Sequence, residues 1–164
     1  MSDTPKVGLI PLYLQLYDQV RPELRPSMEG FAERVAQVLR SGGLEVHTAP
    51  VCRVRAEVER AVTALTGAGV DLLATVHLAY SPSLEAADVL AASDLPVLLL
   101  DTTPAPRFDD SATAEDMMRN HGIHGVQDLA CMLRRRGREY ALAVGHVDNP
   151  GFLAQVVACA RAAV

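Results

Sequence analysis

Five short apolar runs, separated by stretches with helical periodicity, constrain this chain more than any other feature. The runs are KVGLIPLYL (6–14), LEVHTAP (44–50), VDLLATVHL (70–78), LPVLLLD (95–101) and YALAVGHV (140–147). Each has the length of a strand. The third and fourth are apolar almost without alternation, as expected of strands buried on both faces of a parallel sheet. Between the runs, SMEGFAERVAQVLRSGG (27–43) sets Met28, Phe31, Val35, Val38 and Leu39 on one stripe and closes with Gly42 and Gly43 as C-cap signals. RAEVERAVTALTGAG (55–69) repeats the pattern with Val58, Val62 and Leu65. SPSLEAADVLAASD (81–94) reads as a helix with Ser81 at the N-cap and Pro82 at N1, and Asn149 and Pro150 open the last helix in the same way. Strand and helix alternating through short joints predict an α/β fold: a three-layer αβα sandwich around a five-stranded parallel sheet, flavodoxin- or Rossmann-like. At 164 residues the chain suits one such domain, 1–164.

In open parallel sheets ligands gather at the carboxyl ends of the strands, so chemistry is to be sought just after each apolar run. Those positions are polar here: Gln15, Tyr17 and Asp18 after the first run, His77, Tyr80 and Ser81 at the third, Asp101, Thr102 and Thr103 at the fourth, His146, Asp148 and Asn149 at the last. Such a set suits a hard cation or a polyol, since both take oxygen and imidazole partners. Capping alone also accounts for Ser81, Asp148 and Asn149. The usual nucleotide signatures are missing: GLIPLYLQLYD holds a single glycine, so there is no GxGxxG, and GxxxxGK[ST] and GxSxG are absent too. Lys6 is the only lysine, which removes the conserved lysine of a phosphorylated receiver. A net charge of −5, with no basic block beyond RRRGR (134–138), argues against a nucleic-acid surface, and that run reads as a helix end. Cys52, Cys131 and Cys159 are too scattered for a disulfide framework or a zinc knuckle. No segment has the length of a membrane span or the pattern of a signal peptide. A soluble, cytoplasmic protein without membrane or nucleic-acid partners is expected.

One stretch is left over. RNHGIHGVQDLACMLRRRG (119–137) places His121 and His124 three apart, each followed by a glycine, ahead of the apolar stripe Val126, Leu129, Ala130 and Leu133. With Gly122 and Gly125 as helix breakers, the histidines are expected in a loop feeding a helix N-terminus. Free N–H groups and the positive dipole end favour oxygen-rich ligands there and disfavour a protonated imidazole. Neutral imidazoles can donate to or accept from sugar hydroxyls. One histidine capping the helix while the other packs on the loop explains the pattern equally well.

This stretch, together with ATVHLAYSPSLEAADVL and the opening VGLIPLYLQLYDQVRPELR, resembles the N-terminal domain of the L-arabinose/L-fucose isomerase family, above all its arabinose-isomerase-like members. The likeness covers most of the chain, and the histidine–glycine loop is its most specific part. It implies interconversion of aldoses and ketoses with a divalent metal, commonly manganese, in a trimer or hexamer whose sites lie between subunits. By position it implies that His124 reaches the substrate, that His121 is a polar substrate-facing residue, that Tyr80 is an aromatic wall and that Leu16 and Tyr17 are first-loop contacts. Gln127 and Asp128 stand where arabinose isomerases have an Arg-Glu pair, so Gln127 joins the substrate-binding set with the sugar left open. The metal ligands of that family belong to later domains, which makes this chain a substrate-binding and assembly domain, without cofactor or catalytic residue of its own and inactive alone. Two other readings stay open: a free-standing sugar-binding domain, and a self-contained metallo-enzyme built from His77, Asp101, His146 and Asp148.

Overall fold

The computed structural model describes residues 4–164. Strands β1 (Lys6–Tyr13), β2 (Glu45–Thr48), β3 (Leu72–Leu78), β4 (Val97–Asp101) and β5 (Ala141–Val144) form one sheet in the order β2-β1-β3-β4-β5, every pair parallel. This is the order of flavodoxin-like doubly wound folds, and all five expected strands are present. The continuous apolar runs mean what they should: all of β3, and β1 beyond Lys6, are buried, while the edge strands β2 and β5 are partly exposed.

Helices α1 (Gln15–Val20) and α2 (Leu24–Ser41) follow β1, α3 (Arg55–Gly67) follows β2, α4 (Ala87–Ala92) follows β3, α5 (Ala114–Arg119) and α6 (Gly122–Arg135) follow β4, and α7 (Pro150–Ala162) closes the chain. The stripe Met28, Phe31, Val35 and Leu39 of α2 packs with Phe152 and Val156 of α7 on one face of the sheet. Val58 and Leu65 of α3, Leu90 of α4 and Leu129 and Leu133 of α6 fill the other. Two apolar layers therefore sandwich the sheet.

Two local features differ from the sequence expectation. Ser81 does not cap a helix: the segment after β3 forms a single 3-10 turn, Ser83–Glu85, before α4, and Ser81 turns inward. Neither α1 nor α5 carries a buried side chain, so neither shows the apolar stripe that reveals a helix in sequence. Pro11 sits inside β1 and removes a donor from the ladder, but on that side the chain has left the sheet after Thr48 and returns only where Cys52 bridges Leu12. Asn149 and Pro150 do open α7, with Asn149 Oδ1 accepting from the Gly151 N–H at 2.8 Å.

Candidate functional site

With this strand order the chain reverses direction across the sheet between β1 and β3, and the carboxyl ends of those strands are where open parallel sheets hold their ligands. After β1, α1 carries Leu16 and Tyr17 at this edge. Asp18 fixes α1 by accepting from Arg25 of α2 (3.0 Å to each carboxylate oxygen) and from Arg53 beyond β2 (2.9 Å). The Tyr17 ring stands edge-on to the buried Tyr13, centroids 5.6 Å apart. Leu16 is left 52% exposed at the rim.

After β3 the chain turns at Ala79, whose φ of +54° is the only positive value at a non-glycine among the described residues. A left-handed alanine costs on the order of 1 kcal/mol, offset here by a methyl group that is almost fully buried. The turn sends Tyr80 outward, where its ring meets His121 at 6.0 Å between centroids, and His121 meets His124 at 4.2 Å with the planes 75° apart.

Only one of the two histidines precedes the helix. Helix α6 begins at Gly122, so His121 is its N-cap residue, with no capping bond from its side chain, and His124 lies in the first turn. The glycines do not break the helix; they let it approach β3. A Cβ on Gly122 would stand 2.6 Å from the His77 carbonyl oxygen, and one on Gly125 would stand 2.6 Å from His77 Nδ1 and 3.0 Å from Ser81 Oγ. Asn120, just ahead, is buried and accepts from the Ala105 N–H while donating to the Asp116 carbonyl, both at 2.7 Å, which ties the loop after β4 to the end of α5.

His77 is 2% exposed and bonded at Nδ1 to Ser81 Oγ (2.7 Å), with Thr75 Oγ1 at 3.4 Å from Nε2. Burial holds its pKa down at about 3 against a weaker opposite pull from Asp128, so the ring is neutral. His121 is also lowered, by partial burial first and by the neighbouring His124 second. It therefore offers one donor and one acceptor at neutral pH. Burial, then the nearby Tyr80 phenol, raises Tyr17.

The fold thus brings Tyr80, His121 and His124 together, with Tyr17 near Tyr80 and Leu16 next to Tyr17 in the chain. Gln127 lies a turn further along α6 and is exposed, and Asp128 accepts from the Ser83 N–H at 3.4 Å. The quartet His77, Asp101, His146 and Asp148 is not a site. His77 is sealed beneath α6, while His146 Nε2 donates to the Pro104 carbonyl at 3.3 Å and Asp148 pairs with Arg34. Among the described residues no three His, Cys, Asp or Glu side chains come together so as to hold a metal ion, and the divalent cation implied by the sequence resemblance does not fit the donors present. Asn120 escaped the sequence reading as part of the site, and Ser81, though among the polar strand-end residues, was read as a helix cap rather than as the partner of His77; the polar His77 inside an apolar run was the one available signal. Among the described residues no helix is long and apolar enough to cross a membrane. No family model and no curated protein matches the chain.

Proposed function

We propose that this chain is the N-terminal substrate-binding and assembly domain of a metal-dependent aldose–ketose isomerase, and that it lends residues to a neighbouring subunit's active site in a trimer or hexamer. The observation that carries the reading is the cluster of Tyr80, His121 and His124 rings on the segments that follow β3 and β4, at the carboxyl edge of the sheet. In this reading His121 and His124 supply hydrogen-bonding imidazoles for sugar hydroxyls, Tyr80 a ring face for the sugar's C–H groups, and Leu16, Tyr17 and Gln127 further contacts. Phe108, Met117 and Ile123 are also exposed and border one depression together with His121 and His124, apolar surface suited to burial against another surface. In this reading the cation, manganese in the resembling family, sits on residues outside the chain and polarises the two oxygens between which hydrogen moves.

Titration with L-arabinose, L-fucose and their alditols, followed through the ring resonances of Tyr17, Tyr80, His121 and His124, tests the reading. Sugar-dependent shifts at these rings are expected, with no isomerisation by the chain alone. Shifts confined to another part of the surface, or no shifts at saturating sugar, would remove the proposal. Turnover by the manganese-loaded chain would favour a self-contained enzyme instead.

A further inference from the structure

Four features of unrelated kinds meet at one turn. A histidine is fully desolvated where a leucine would fill the space without that cost. The hydroxyl bonded to it, Ser81 Oγ, is buried as well. Between them lies the left-handed Ala79. Two glycines on α6 are pressed against the same imidazole and its own carbonyl. Core packing alone requires none of these. Together they fix the relation between the segment that carries Tyr80 and the helix that carries His121.

We propose that His77 is a positioning residue: its bond to Ser81 locks the turn at Ala79, and its ring and carbonyl form the seat for Gly122 and Gly125, so that Tyr80 and His121 stand at a set spacing. His77 touches no ligand. It acts through the two elements it joins. That the spacing serves sugar binding rests on the function proposed above; the spacing itself does not.

The test reads the two claims separately. In the ligand-free chain, nuclear Overhauser contacts between the Tyr80 and His121 rings report the spacing across the clamp, while those between His121 and His124 report only the helix end. In Ser81→Ala, and in His77→Phe, which keeps a ring but no bond, the first set is expected to vanish and the second to remain. Ser81→Thr, which restores a hydroxyl, is expected to keep both. Retention of the Tyr80–His121 contacts in the folded Ser81→Ala or His77→Phe chain overturns the proposal, and so does loss of both sets, since His77 would then merely support the helix. Sugar titration of the same proteins reads the second claim: Ser81→Ala should bind about tenfold more weakly, the equivalent of one misaligned hydrogen bond. If the wild-type chain binds no sugar, the functional reading fails and the ring-contact test stands. If the variant loses the ring contacts yet binds sugar as well as wild type, the spacing has no role in binding.

Discussion

At the scale of single residues, His77 makes the fold sensitive to acid. Its pKa is about 3 in the folded chain against an ordinary value of 6.5. Between these values the unfolded chain binds a proton that the folded chain refuses, so the contribution is complete above pH 6.5 and declines as pH falls toward 3. The slope approaches about 1.4 kcal/mol per pH unit. Urea unfolding across this range should therefore give a steeper acid loss for the wild-type chain than for His77→Gln, the two stabilities converging as pH drops. Parallel curves would mean that the ring is protonated, or reached by water, in the folded state. His121 belongs to the same scale, since partial burial and its His124 neighbour already disfavour its charged form and keep a neutral ring beside Tyr80.

At the scale of elements, the same substitution should have opposite signs in two helices. Gly30 lies exposed within α2 with nothing within 4 Å of where a Cβ would go, so Gly30→Ala should stabilise by about 0.5–1 kcal/mol through helix propensity. Gly122 begins α6, and its Cβ would meet a backbone oxygen of β3 that cannot swing away. Gly122→Ala should therefore destabilise by about 1–3 kcal/mol despite the gain in propensity. Denaturant midpoints of the two variants settle the comparison, and a stabilising Gly122→Ala would show that α6 does not seat on His77 as described. The outer strand has its own local device: Gln155 of α7 accepts from the Val144 N–H and donates to the Val144 carbonyl, both at 3.2 Å, closing part of the free edge of β5.

For the whole molecule, two apolar layers around a buried sheet supply the stabilising burial without any metal donor set among the described residues. Thermal melts with and without a chelator should coincide, and a large drop in Tm on chelation would refute this. The proposed assembly is testable in the complete oligomer. His124→Ala should leave subunit association and metal content intact while lowering kcat/KM by roughly 30- to 1,000-fold, the loss of about 2–4 kcal/mol of transition-state hydrogen bonding. Mixing that variant with one lacking a metal ligand should return part of the activity, because some interfaces would pair an intact histidine with an intact metal site. Mixed oligomers without recovered activity would place His124 in its own subunit's site or in none.

What could be read from the chain alone was whatever has a short period. The buried central strands appear as unbroken apolar runs, α2 and α3 as stripes, the start of α7 as Asn149–Pro150, and from these the layers and the parallel sheet follow. The residues after β1, β3 and β4 could be nominated because the carboxyl ends of parallel strands share one edge. Only the tertiary structure decided what the glycines beside the histidines were for and where Ser81 pointed. Gly122 and Gly125 have the same signature in sequence whether they break a helix or let it touch another backbone. The difference lies in His77, which is remote in sequence and brought beneath α6 only when β3 and β4 pair. Ser81 likewise looked like a cap because Ser-Pro opens helices, but the left-handed Ala79 turned it toward a buried imidazole with which it could bond. Hydrophobic period is a local property of the chain, whereas close approach and the pairing of buried polar groups depend on which distant segments the fold has placed in contact.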